Sequence, residues 1–146
     1  MRRDYLTVQV NPDGGETGDR PPVLRISLDC PPDGVPAAIR DLDGTTLSGE
    51  DVDVALRRGD DGDGEAVLSI ARRLTGEFIL EANVADADIE ELVAAALDRP
   101  GEARYRVRIG GADLDPIQLE KRTLLVYDPE GNLERDASLI PSGVEL

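Results

Sequence analysis

A chain of 146 residues with 31 acidic against 16 basic side chains and no histidine is long enough for one hydrophobic core and too short for two. The missing histidine excludes Ser-His and Cys-His catalysis, histidine zinc sites and histidine pH switching, and a single cysteine, Cys30, excludes an intrachain disulfide and a cysteine metal cage. A net charge of −15, with fifteen of the sixteen bases arginine, suits a folded surface kept hydrated in molar salt, where the Debye length is about 3 Å and like charges repel weakly; a GC-rich genome favours the same residues.

The N-terminal "MRRDYLTVQV" has no apolar core of a secretory leader, and no run of eighteen apolar residues occurs, so a cytoplasmic protein without a membrane span is expected. From Tyr5 to Val10, Leu6, Val8 and Val10 share one strand face. From Val23 to Asp29 the inward set is Leu24, Ile26 and Leu28, with Arg25, Ser27 and Asp29 opposite. Val35 to Leu42 reads equally as one helical turn or a short strand, and Asp43-Gly44 marks a turn.

Val52, Val54 and Leu56 alternate with polar positions, as do Ala66, Leu68 and Ile70 with Val67, Ser69 and Ala71. Between these two strands lies "GDDGDGE", residues 59 to 65. Started at Asp61, the EF-hand frame requires glycine and glutamate where Ala66 and Arg72 stand, and its flanks are strands where that motif has helices. A solvated hairpin tip is the better reading, and Asp60, Asp61 and Asp63 are weak cation candidates. Leu74-Thr75-Gly76 supplies the next hairpin turn, and Phe78, Leu80, Ala82 and Val84 form the inward face of the strand after it, with Ile79 outward.

The period then changes. From Asp88 to Asp98, Ile89, Leu92, Val93, Ala96 and Leu97 form one apolar stripe of a helix, with Asp88 and Glu91 placed as a capping box and Pro100-Gly101 as the stop. Tyr105, Val107 and Ile109 face inward from the following strand. Glu120 to Tyr127 reads as one further strand, apolar enough at Leu124-Leu125-Val126 for a central position. "DPEGN" after it forms a type I turn, which returns the chain antiparallel from Leu133. The expected fold is mainly β, a single domain over 1–146. It is read as an antiparallel β-sandwich with one helix inserted between late strands, immunoglobulin-like connectivity being one arrangement that fits. A single curved sheet with the helix across it is the alternative.

Arg104, Arg106 and Arg108 line one strand face and are good anion donors, but no aromatic shares that face as a stacking platform, so cross-strand pairing with acids is favoured over nucleic acid. The pairs Arg57-Arg58, Arg72-Arg73 and Lys121-Arg122 read as solvated charges at strand ends. No Walker loop, GxGxxG or GxSxG occurs, and none of the 31 acids is singled out as a catalytic pair, so no cofactor and no catalytic residue is assigned.

"MRRDY", "LTGEFILEAN", "EKRTLLVYDPEGNL" and "SLIPSGVEL" together resemble a family of haloarchaeal proteins of unknown function along the whole chain. That resemblance implies no activity and no site residue. The last segment holds Leu139, Ile140, Val144 and Leu146, an apolar set at an end that is usually polar and frayed; docking on the sheet is favoured over a recognition peptide offered to a protein partner. The function read from the sequence is a non-enzymatic protein-interaction or structural domain. A cation or small-molecule module on the 59–65 loop is the alternative, and an enzyme with an unrecognised carboxylate pair comes third.

Overall fold

In the computed structural model, residues 6–11, 21–35, 37–42, 46–47, 51–59, 64–98, 103–111 and 113–140 are described. The elements in chain order are β1 (Leu6–Asn11), β2 (Val23–Leu28), a 3-10 turn (Pro32–Gly34), α1 (Ala37–Arg40), β3 (Thr46–Leu47), β4 (Val52–Arg58), β5 (Glu65–Arg72), β6 (Phe78–Ala85), α2 (Asp86–Leu97), β7 (Tyr105–Gly111), β8 (Leu114–Lys121), β9 (Leu125–Tyr127) and a second 3-10 turn (Arg135–Ala137). They form a five-stranded sheet, β1-β2-β7-β8-β3, and a four-stranded sheet, β6-β5-β4-β9. Alternate residues of both sheets, among them Leu24, Ile26, Val107, Ile109, Val54, Leu56, Leu68 and Ile70, join in one buried core. The period of two makes this a sandwich: each strand has one apolar face, and two such faces are covered when the sheets are stacked.

The pairing is not antiparallel throughout. β2 with β7, β3 with β8 and β4 with β9 run parallel. Parallel partners need long crossovers, and these pairs have them, since β7 returns to β2 only after the whole β4-β5-β6 meander and α2 have been laid down. With mixed sheets the strand order departs from the immunoglobulin one, whose sheets are antiparallel. The stretch read as one strand from Glu120 to Tyr127 is two. Lys121 ends β8 in one sheet and Leu125 begins β9 in the other, so the chain changes sheets across Arg122–Leu124. Instead of a central strand, β9 is the last of its sheet among the described residues, and the apolar run is explained by the returning segment laid on its free side, where Leu124 pairs with Leu139 and Tyr127 with Leu133.

In β6 a register irregularity opposite Ile70 and Ala71 skips Ile79 in the pairing and turns the first residues of the strand around. Ile79 is consequently buried and Phe78 is 59% exposed, the reverse of what strict alternation predicts. The ambiguous segment after β2 is one helical turn, α1, set beside β6, with Val35, Ile39 and Leu42 buried around it.

Helix α2 starts two residues before the capping-box position, directly from β6. Ala85 is its N-cap and makes no side-chain cap, so the Asp88–Glu91 box does not close the helix start. The Asp86 N–H donates instead to the Gly64 carbonyl at 2.7 Å, which ties the helix to the end of the β4–β5 hairpin. Ile89, Leu92, Val93 and Ala96 are buried and set the helix against β1 and β6, whereas Leu97, counted in the stripe, is exposed. Among the described residues no helix is long and apolar enough to cross a membrane.

Candidate functional site

The acidic loop enters and leaves as a hairpin. Arg58 lies opposite Ala66, and the Gly59 N–H donates to the Glu65 carbonyl at 3.0 Å. Asp60, Asp61 and Asp63 lie outside the described residues. Among the described ones, no group of three or more His, Cys, Asp or Glu side chains is placed to hold a metal ion.

At the base of this hairpin Arg58 is not the solvated strand-end charge expected. Its guanidinium is partly buried, with Nε 2.7 Å from Glu134 Oε2 and Nη1 3.6 Å from both Asp86 Oδ2 and Glu90 Oε1. One cation thus ties the end of β4 to the first turns of α2 and to the segment returning from β9. Asp86 also sits where the positive end of the helix dipole favours a carboxylate. Arg57 lies nearby and donates to the Pro129 carbonyl at 2.7 Å.

Lys121 departs from its expected place further. The chain's sole lysine is 4% exposed, and its Nζ donates to the Val52 carbonyl at 2.9 Å, linking the two sheets. Burial depresses its pKa, the Arg73 charge acts in the same direction, and Asp53 partly opposes both. Opposite Lys121 in the ladder, Tyr105 is wholly buried. Its hydroxyl donates to the Thr123 carbonyl at 2.8 Å, and burial raises its pKa.

The arginine row is exposed on the outer face of the five-stranded sheet, as expected. Arg104 Nη1 lies 3.3 Å from Glu120 Oε1 and Arg106 Nε lies 4.0 Å from Glu120 Oε2, so the cross-strand pairing with Glu120 is made. Arg108 is opposite Gln118 and beside Arg25 of β2. The sequence shows that Arg25 faces outward, but its place next to Arg108 depends on the parallel β2–β7 pairing, which no local pattern announces.

At the C-terminal end Leu139 is 1% exposed and exchanges both backbone hydrogen bonds with Leu124, at 3.0 and 2.9 Å. The Ser138 hydroxyl accepts from the Val126 N–H and donates to the Glu134 carbonyl. Ile140 is half-buried; Val144 and Leu146 lie outside the described residues. Docking therefore holds as far as Ile140. The turn before this segment forms as expected. Asp128 Oδ1 accepts from the N–H groups of Asn132 and Glu130, which lowers the Asp128 pKa, and the Gly131 N–H closes on the Asp128 carbonyl.

The remaining outlier is apolar. Leu74 is 99% exposed and Phe78 59% exposed, both at the turn end of the β5–β6 hairpin. The turn itself is built by Gly76 at φ 71° and by the Gly76 N–H bond to the Arg72 carbonyl.

Over residues 1–146 the chain matches the family of unknown function DUF5793. The chain belongs to this family. No curated protein and no solved structure matches it. The match spans every described element of both sheets.

Proposed function

We propose that this member of the family is a non-catalytic protein-interaction domain of a salt-adapted archaeal cytosol, and that it engages its partner through the turn end of the β5–β6 hairpin. The observation behind this reading is the position of Leu74 and Phe78. The only phenylalanine of the chain is more than half exposed beside a fully exposed leucine, on a hairpin whose other large aliphatic residues Leu68, Ile70, Ile79, Leu80 and Val84 are buried. Aromatic and aliphatic anchors that enter a partner's pocket carry most of the energy of protein interfaces. Arg73 stands beside them and holds Asp53 at 2.9 Å, which fixes the base of the turn.

The double variant Leu74→Asp, Phe78→Asp is expected to keep the wild-type unfolding midpoint, since exposed substitutions change stability by about 0.5 kcal/mol or less. It is also expected to release a protein held by the wild type in affinity capture from a halophilic lysate. Capture of the same protein at wild-type level by the double variant overturns the assignment. The salt adaptation is tested separately. With 31 acids against 16 bases, screening of the surface charge should raise the unfolding midpoint steadily between dilute and molar KCl; a midpoint indifferent to KCl excludes it.

A further inference from the structure

Strand register places Gln9, Arg25, Arg108 and Gln118 side by side in one row across β1, β2, β7 and β8. All four are exposed. Neighbouring strands lie about 4.8 Å apart, so two guanidiniums project from adjacent positions, where like charges disfavour the sheet.

In a chain with nearly twice as many acids as bases, a carboxylate neighbour would relieve that repulsion, and the next row has one: Arg106 stands opposite Glu120, which it shares with Arg104. Arg25 and Arg108 have only glutamines beside them. Among the described residues neither makes an ion pair or a side-chain hydrogen bond. The nearest acid beyond the end of β2, Asp29, accepts a hydrogen bond from Thr7. Among the described residues of these strand faces, four arginines therefore stand with two carboxylates, Glu120 and Asp29, of which only Glu120 pairs with an arginine, on a protein of net charge −15.

We propose that this face, centred on Arg25 and Arg108 and extended along β7 by Arg104 and Arg106, binds nucleic acid through its phosphate backbone without reading the bases. Charge complementarity selects an anion, and the face then selects its kind. Apart from half-buried Val23, the outward residues about Arg25 and Arg108 include hydrogen-bond donors suited to phosphate oxygens, Gln9, Gln118, Asn11 and Ser27. No aromatic side chain among the described residues of these strands faces outward, since Tyr105 is buried. A protein partner needs a buried apolar anchor, and a small ligand needs a concave site; an open sheet face of donors supplies neither. Contact with successive phosphates needs only aligned cations and polar donors, and the absence of a stacking platform makes the binding indifferent to sequence.

The test is fluorescence anisotropy with two labelled single-stranded oligonucleotides, one of thymidine alone and one of mixed sequence, at the lowest KCl that preserves the folded circular dichroism spectrum. Both should bind equally, with affinity falling on a log–log salt plot by about 0.7 per phosphate contacted. Arg25→Gln with Arg108→Gln should weaken binding about tenfold or more and flatten the salt slope. Arg25→Lys with Arg108→Lys should keep the slope but only part of the affinity, because the charge is present without the guanidinium fork. The glutamine pair should also unfold at the wild-type midpoint or above it, since two neighbouring like charges are gone. The proposal is overturned by no binding of either oligonucleotide, by binding unaffected by the glutamine pair, or by a marked fall in its midpoint. Competition by polyglutamate as effective as by unlabelled DNA also overturns it, in favour of an acidic protein partner.

Discussion

Gly111→Ala is expected to destabilise the fold by about 3 kcal/mol or more, combining backbone strain with a steric clash. Gly111 ends β7 at φ 104°, in the left-handed half of backbone space that residues with a Cβ rarely occupy. A Cβ there would lie 2.6 Å from the Leu28 carbonyl oxygen and 3.0 Å from the Leu28 nitrogen. Those atoms are the backbone of the neighbouring strand, paired with Gly111 in the parallel β2–β7 ladder, so relief requires moving a strand and cannot come from rotating a side chain. Gly110 is the control. It is in the same ladder, it has no atom within 4 Å of the added Cβ, and it is absent from the positive-φ positions. Gly110→Ala should be neutral or stabilising by a few tenths of a kcal/mol, because the unfolded chain loses freedom. Chemical unfolding of both variants gives the comparison, and a Gly111→Ala cost within about 1 kcal/mol of the control sinks the account.

The same pair of glycines marks where the sequence stops being informative. "IGG" after an alternating run announces the end of a strand, but only the parallel approach of Leu28 distinguishes the indispensable glycine from its neighbour. The pattern is general here. Alternation of Leu24, Ile26 and Leu28, or of Val52, Val54 and Leu56, fixes which face is buried, because side chains on a pleated strand repeat every two residues. It carries no information on which strand lies alongside or in which direction, and the three parallel pairs were illegible for that reason.

The missed strand β8 shows a second limit. Pro116 argues against a strand interior, yet it stands at the β7–β8 register irregularity between the Ile109–Ile117 and Gly111–Leu114 pairs, where the ladder is interrupted. Lys121 follows Ile117 and Leu119 on the inward face by simple alternation, so its burial was readable. Its charge and the neighbouring Arg122 argued for solvent, and the Val52 carbonyl that receives its Nζ comes from the other sheet. The functional residues divide in the same way. Outward exposure of Arg104, Arg106 and Arg108 follows from period two. The Arg25–Arg108 adjacency and the gathering of Asp86, Glu90 and Glu134 around Arg58 follow from topology alone. Alternation places Phe78 in the core, and one irregularity in the ladder reverses that strand end without any mark in its composition.

Leu139→Ala is expected to cost about 2 to 5 kcal/mol, the range for truncating a fully buried leucine whose cavity closes only in part. The size of the effect follows from where the segment lies. Leu139 and Leu124 are both essentially inaccessible and pair directly, so the leucine fills core space at the end of the four-stranded sheet. Neither the backbone bonds between the two residues nor the Ser138 contacts to Val126 and Glu134 involve the leucine side chain, so the loss starts from its packing. Among the described residues the sheet has no further strand beyond β9, and the segment from Leu133 to Leu139 takes the place of one. Removing its anchor should loosen the Arg58–Glu134 link as well, which places the return segment and the base of the acidic hairpin in one cooperative unit. Hydrogen exchange at Val126 and Glu134, whose amides are bonded within this segment, should accelerate together in Leu139→Ala. A loss below about 1 kcal/mol, with those amides still protected, would mean that the apolar C-terminal segment lies on the sheet without stabilising it.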